Sequence, residues 1–411
     1  MRFPLRASSF VRSLLAPAFS LVGASRAGGG AMLPLVWALA WLPAWAAATD
    51  RKPDPPPDVV TSARGVTEVG TLEGVAYRID VPAAWNQSLV VFFHGYSERP
   101  AVFKTGWGLN EVTRPIFERG FAVAQSGYSA TGWALAEGVP ESETLRQYFV
   151  KKYGKVKETI AASSSMGGAL AMETIEQNPK PYAGALDLCG SLGPSYEEFQ
   201  RRFAWRAAFD FYFPGLMPVL MPVPEEYQET SALRAKIAAA LKADPTAAAE
   251  MRGLTGLHTD ADLVHAMSYF TFAITDMQHR SGGNPFDNRN YLYTGTDPAS
   301  SASDEALNDG VKRYTADEPA RRYLVAHYTP TGKLTRPMLA LHTMYDPLIP
   351  GTTLALYGHE VEEAGYGENL VQQYVHRDGH CAFTPQQVGE SFDELLGWIR
   401  GGKRPTPGLL R

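Results

Sequence analysis

Three short segments carry the residue types of nucleophilic acyl-group chemistry. They are Ala161-Ala162-Ser163-Ser164-Ser165-Met166-Gly167-Gly168, Leu341-His342-Thr343-Met344-Tyr345-Asp346-Pro347 and His376-Arg377-Asp378-Gly379-His380-Cys381. A serine hydroxyl attacks a carbonyl only when a neighbouring imidazole takes its proton, and a carboxylate then fixes the imidazole tautomer and stabilises its cation. Spacing separates the candidates within each segment. A nucleophile on a sharp strand-to-helix turn needs small residues two before and two after it. Ser165 has Ser163 and Gly167 there; Ser164 would put Met166 at a crowded position, and Ser163 lacks glycines on its helical side. Ser165 is the expected nucleophile, with Ser163, Gly167 and Gly168 as its supporting turn.

Asp346 is the expected orienting acid, because it stands at its own strand end in a proline-bounded turn. Asp378 lies two residues from His380, too close on a tight loop to face it well. His380 is the expected base, since His376 still belongs to a strand. A fourth segment, His94-Gly95-Tyr96, ends a buried apolar run. Its glycine lets the backbone swing so that amides face a carbonyl whose oxygen gains negative charge, and the backbone N–H groups of Tyr96 and Met166 are the expected donors. A helix beginning at Met166 adds its dipole in the same sense.

These segments have to be positioned by a sheet. Residues 75–81 alternate as a half-buried strand, and 89–93 form a continuous apolar run, as in a strand buried on both faces. Further strands are expected at 121–124, 158–162, 183–188, 338–341 and 371–375, with helices at 110–119, 141–153, 166–177 and 385–399. Such alternation predicts an α/β protein with a mostly parallel sheet covered on both faces. Between 191 and 335 the alternation stops. That stretch reads as helices at 196–212, 225–242 and 260–275, then as loop through Gly282, Gly283, Pro285 and the tract 300–303. Strands resume after it, so it reads as an insertion.

The quoted segments together resemble the α/β-hydrolase superfamily over residues 70–195 and 335–402. Chain order Ser, Asp, His is that superfamily's order. The resemblance implies a central sheet flanked by helices, with a mainly helical cap (191–335) inserted after the strand that follows the nucleophile helix. It implies a hydrolase core at 63–190 and 336–402, with 403–411 as a tail. It also implies chemistry that requires no cofactor or metal. The chain is similar to exported bacterial carboxylesterases and amidases. Cleavage of carboxylic esters through an acyl-serine is the expected activity. Amide or peptide hydrolysis and acyl transfer are the alternatives open to the same triad, and a non-catalytic binding protein on this fold is a third class. Haloalkane and epoxide chemistry is disfavoured, because those members use an Asp nucleophile.

Composition sets further bounds. Of 411 residues, 45% are hydrophobic and 20% charged, with 38 basic and 43 acidic residues and a net charge of -5. That is globular composition, and no basic run interleaved with aromatics points to nucleic acid. The first 48 residues have an arginine-bearing start (Arg2, Arg6, Arg12, Arg26), an apolar stretch from Met32 to Trp45, and Ala46-Ala47-Ala48 at the end. They read as a secretory signal peptide, with Met32 as an alternative start; the stretch is short for a membrane span, and an uncleaved membrane anchor is the alternative reading. A periplasmic or secreted location is expected. Residues 49–62, with Pro53, Pro55, Pro56 and Pro57, read as a linker. Export permits a disulfide. Cys189 and Cys381, the two cysteines, both lie beside site segments, which leaves one bridge and two free thiols as alternatives. No Cys-x-x-Cys or His cluster suggests zinc.

The insertion carries Phe203, Trp205, Phe209, Phe211, Tyr212, Phe213, Tyr269, Phe270 and Phe272. Most are expected to pack it onto the sheet. Phe209 and Tyr269, with Ser126, Tyr128 and Trp133 beyond the third strand, are the candidate pocket walls for a medium-sized apolar or aromatic small-molecule ester or amide. His258, His265, His279, His327, His342 and His359 read as structural or exposed.

Overall fold

Apolar runs that lack polar alternation must be buried on both faces, and in the computed structural model, which describes residues 53–410, they form the middle of one sheet. The strands are β1 (Asp58–Ser62), β2 (Gly65–Leu72), β3 (Val75–Pro82), β4 (Leu89–Phe93), β5 (Ala122–Ser126), β6 (Thr159–Ser164), β7 (Gly184–Leu188), β8 (Met338–Tyr345), β9 (Leu370–Asp378) and β10 (Gly408–Leu409). Their order is β1-β2-β3-β5-β4-β6-β7-β8-β9-β10. The pairs from β1 to β5 are antiparallel, and every pair beyond β5 is parallel.

Strand β4 shows why the run is unbroken. Leu89, Val91 and Phe93 join one apolar layer with α2 (Leu135–Tyr153) and α3 (Gly167–Gln177). Val90 and Phe92 join the opposite layer with α1 (Thr113–Glu118) and α11 (Pro385–Gly401). Register then aligns the strand ends. Phe93 sits opposite Ser163, Ser164 opposite Leu188, and Leu188 opposite Leu341. The loops after β4, β6, β7 and β8 therefore leave the sheet side by side.

Residues between β7 and β8 form α4 (Ser195–Tyr212), α5 (Ser231–Ala243), α6 (Pro245–Thr255), α7 (Asp260–Ser281), α8 (Ala302–Gly310) and α9 (Glu318–Ala326); α10 (Thr352–Glu363) follows β8. Among the described residues no helix is long and apolar enough to cross a membrane.

Several expectations are corrected. Residues 58–62, read as linker, form β1, because Val59 to Thr61 can pair along β2. β2 itself was not foreseen. The tail read at 403–411 includes β10, which adds to β9. The helix expected at 225–242 starts only at Ser231, where Thr230 caps it by accepting the Leu233 N–H, and it is followed by the separate α6. The stretch read as loop holds α8 and α9. Helix α2 begins at Leu135, earlier than expected, and runs through Pro140. The expected signal peptide and the linker start lie outside the described residues.

The end of the insertion is tied to α3 through Glu176. Its carboxylate accepts the hydroxyls of Tyr328 (2.7 Å), Thr331 (2.7 Å) and Tyr357 (3.1 Å), and the N–H groups of Thr331 (2.7 Å) and Gly332 (2.9 Å). Deleting a shared acceptor leaves several donors unmatched at once. Glu176→Ala is expected to lower unfolding free energy by about 3 kcal/mol in urea. A change within about 0.5 kcal/mol would show that these bonds are replaced at no cost.

Candidate active site

Between β6 and α3 the chain reverses in two residues, and Ser165 has φ +57°. A non-glycine residue stays in that region only when its surroundings over-determine it. Three backbone bonds do so. Ser165 N–H donates to Leu188 O at 3.1 Å, and Ser165 O accepts the N–H groups of Gly168 (2.8 Å) and Ser191 (3.1 Å). The glycines follow from space. A Cβ at Gly167 would lie 2.0 Å from Phe93 O, and one at Gly168 would lie 2.6 Å from Asp187 Oδ1. Gly95 packs directly on the serine; a Cβ there would lie 3.0 Å from Ser165 Cβ.

Ser163 occupies the position where a small residue is needed, and it is fully buried. Its Oγ donates to Asp187 Oδ1 at 2.8 Å, while Asp187 Oδ2 accepts the Gly190 N–H at 3.0 Å. The buried carboxyl thus supports the turn from below.

Strands β8 and β9 deliver the other two groups. His380 Nε2 is 2.8 Å from Ser165 Oγ, and His380 Nδ1 is 2.7 Å from Asp346 Oδ2. Asp346 also makes an Asx turn: Oδ1 accepts the N–H groups of Leu348 (2.8 Å) and Ile349 (3.0 Å). One oxygen holds the turn and the other holds the imidazole. Burial tends to raise the Asp346 carboxyl, but His380 and these N–H groups outweigh it and hold it below the usual carboxylate range. Gly379, at φ +111°, lets the loop leave β9, and its N–H donates to Tyr345 O at 2.8 Å. His376 and Asp378 are exposed on β9, as expected of the rejected alternatives.

Cys189, after β7, is bridged to Cys381, with Cα atoms 5.2 Å apart. The bridge resolves the two alternatives and fastens the residue next to His380 to the strand beside the serine. Cys189, His380 and Cys381 are the grouping of metal-ligand types found among the described residues. The bridge consumes both thiols, so they are not a thiolate site.

The amides expected to face an oxyanion flank Ser165. Met166 caps α3 with its N–H at the helix start, and Tyr96 follows the glycine that packs on the serine. His94 anchors that turn: its ring stacks on Tyr128 at 4.1 Å, and Nδ1 lies 2.7 Å from Gly95 O. Burial lowers the His94 pKa, and Nδ1–H is the donor because the carbonyl oxygen of Gly95 can only accept. The arrangement can pass the Ser165 proton to His380 while Asp346 holds the resulting cation.

The space beside Ser165 and His380 is small, about 10 Å³, and is lined by Trp133, Met166, Ser191, Arg202, Tyr269, Leu348 and Ile349. Trp133 and Tyr269 are where the sequence placed them. Three expected walls are not. Phe209 is fully buried against Phe213, because the apolar face of α4 packs inward. Ser126 is buried in β5, with its Oγ accepting the Tyr128 N–H, and Tyr128 is spent on His94. Leu348 and Ile349 could have been found from their place just after the acid. Arg202 and Ser191 carried no such signal. Among the other histidines, His342 is buried with Nε2 2.8 Å from Ile349 O, and His258 stacks on Tyr345 at 3.6 Å.

Burial pushes the Asp187 carboxyl up to about 7, against the pull of Ser163 and Gly190. An acid that binds its proton more tightly when folded contributes stability that is full below its ordinary value of 3.8 and is lost as pH rises through about 7. Asp187→Asn removes that titration. The variant's stability relative to the parent is expected to rise between about pH 4 and pH 8, by up to about 4 kcal/mol, measured by thermal unfolding. A difference independent of pH would show that the carboxyl titrates normally.

No family model matches the chain, and no curated protein matches it. Among solved structures, an esterase from Aspergillus oryzae aligns at 13% identity and a TM-score of 0.44, covering 83% of this chain and 80% of that one. A Pyrococcus furiosus esterase aligns at 11% identity and 0.41, covering 84% and 91%. An acylaminoacyl peptidase from Pyrococcus horikoshii aligns at 10% identity and 0.40, where 85% of this chain spans 42% of that one. The chain's own strand order, its positive-φ serine turn, and an acid and histidine at the ends of later strands are those of the α/β-hydrolase fold.

Proposed function

We propose that the protein is a serine hydrolase that cleaves carboxylic esters through an acyl-serine intermediate. The observation that carries this reading is the unbroken series Ser165 Oγ, His380, Asp346, with contacts of 2.8 and 2.7 Å. Ser165 Oγ attacks the ester carbonyl as His380 Nε2 takes its proton, and the C=O electron pair moves onto oxygen. The N–H groups of Tyr96 and Met166 receive that oxyanion. His380 then gives the proton to the departing alkoxide, leaving an acyl-Ser165 ester. Water, deprotonated by the same imidazole, attacks in turn and releases the acid.

Supporting features extend the reading. Arg202 of α4 and Tyr269 of α7 line the site, so the insertion acts as a cap over it. The space has room for about one water, so an acyl group enters as these side chains move aside. Trp133, Tyr269, Leu348 and Ile349 favour a compact substrate with apolar or aromatic parts. The disulfide suits an oxidising compartment, in keeping with an exported protein.

Hydrolysis of aryl esters of graded acyl length tests the assignment. Ser165→Ala is expected to lower kcat by about 10⁶-fold and Asp346→Asn by about 10⁴-fold, with both proteins folded by circular dichroism. Turnover undiminished in Ser165→Ala would remove the serine from the reaction.

A further inference from the structure

Helix α4 carries two deeply buried arginines one turn apart, and they are partnered very differently. Arg206 is held through two hydrogen bonds and an ion pair. Nε donates to Thr271 Oγ1 at 2.9 Å, Nη2 donates to Pro218 O at 2.8 Å, and Nη1 lies 2.5 Å from Asp210 Oδ1. It is a structural arginine. Arg202 has a side chain only 2% exposed, and a single nitrogen, Nη2, reaches an acceptor, Glu198 Oε1. Its Nε and Nη1 meet no acceptor among the described residues.

This guanidinium lines the same small space as Ser165 and His380. Its flat faces are held by Phe199, Phe270 and Tyr269, whose ring centroids lie 4.9, 5.4 and 5.9 Å away. Buried N–H groups on a cation are costly without acceptors, and aromatic stacking fixes where they point without supplying any. Glu198 is further shared, because it accepts the Ser191 hydroxyl at 3.0 Å. Arg201, the preceding residue, lies over the Trp205 ring at 5.3 Å, and its Nε and Nη2 meet no acceptor among the described residues. Glu198 is the carboxylate that pairs with Arg202, and the pairing leaves two nitrogens of that guanidinium open to an anion.

We propose that Arg202 is a specificity-determining residue that binds a carboxylate on the substrate's acyl portion, so that the preferred substrates are esters whose acyl chain ends in a carboxylate. This rests on the acyl-serine reading above. Guanidinium N–H groups match carboxylate oxygens in geometry and charge, and apolar chain atoms between the two ends would run past Tyr269, Leu348 and Ile349.

The test compares a matched pair of aryl esters, a hemiglutarate and the neutral valerate, on the intact protein. The wild type is expected to favour the hemiglutarate in kcat/KM by about 10- to 100-fold. Arg202→Met is expected to erase or invert that preference, mainly through KM, read as the ratio of the two kcat/KM values within the variant. Because Arg202→Met strands Glu198, the double variant Arg202→Met/Glu198→Gln provides the same comparison with the pair neutralised, and Arg202→Lys should restore part of the preference. A wild-type enzyme that turns over both esters equally, or favours the valerate, overturns the proposal and leaves the serine hydrolase reading intact. A preference unchanged in the double variant overturns it as well. Failure to turn over either ester, with no labelling of Ser165 by a fluorophosphonate, would instead fault the acyl-serine reading.

Discussion

The site depends on a serine held in a backbone conformation that serine does not choose. At φ +57° Ser165 lies in the left-handed region, where an L-residue costs about 1–2 kcal/mol. The backbone bonds to Leu188, Gly168 and Ser191 hold it there. The same turn forces helix α3 so close to β4 that a side-chain carbon at Gly167 would collide with Phe93 O. The turn lifts the hydroxyl clear of the sheet and puts Met166 at a helix start. Asp187, buried beneath the turn and joined to Ser163, stops the turn from relaxing.

Parallel pairing does the remaining positioning. Aligning the ends of β6, β7 and β8 in register puts three loops at one rim, so residues separated by most of the chain meet within hydrogen-bond reach. Asp346 is fixed by its own turn before it contacts the imidazole, which means its orientation does not depend on His380. His380 sits on a loop with less intrinsic support, and the Cys189–Cys381 bridge supplies it from the neighbouring strand. The insertion contributes Arg202 and Tyr269 to the lining of the space beside Ser165 and His380.

Much of this was legible in the residues. Continuous apolar runs such as Leu89–Phe93 identify central strands, and small residues around Ser165 identify a tight turn, because both are local consequences of crowding. The choice of His380 over His376 and of Asp346 over Asp378 followed from strand ends. Edge elements were harder to see. β1 and β10 exist because a neighbouring strand offers free backbone groups, not because their own side chains demand it. The pocket was the least legible part. An aromatic such as Phe209 looks alike whether it packs a helix or borders a cavity, and the difference between Arg202 and Arg206 lies wholly in which distant residues reach them. Ser163 is legible as a small residue beside the turn, but its buried partner Asp187 is not, because that contact comes from the next strand.

The central claim is that Ser165 becomes covalently acylated, and the most direct measurement is the mass of the protein during turnover. Rapid acid quenching after mixing with an aryl ester, followed by peptide mapping, should show an acyl mass on the peptide containing Ser165, appearing with a burst of released phenol equal to one per protein. Sustained turnover with no adduct, or an adduct on another peptide, would contradict the account.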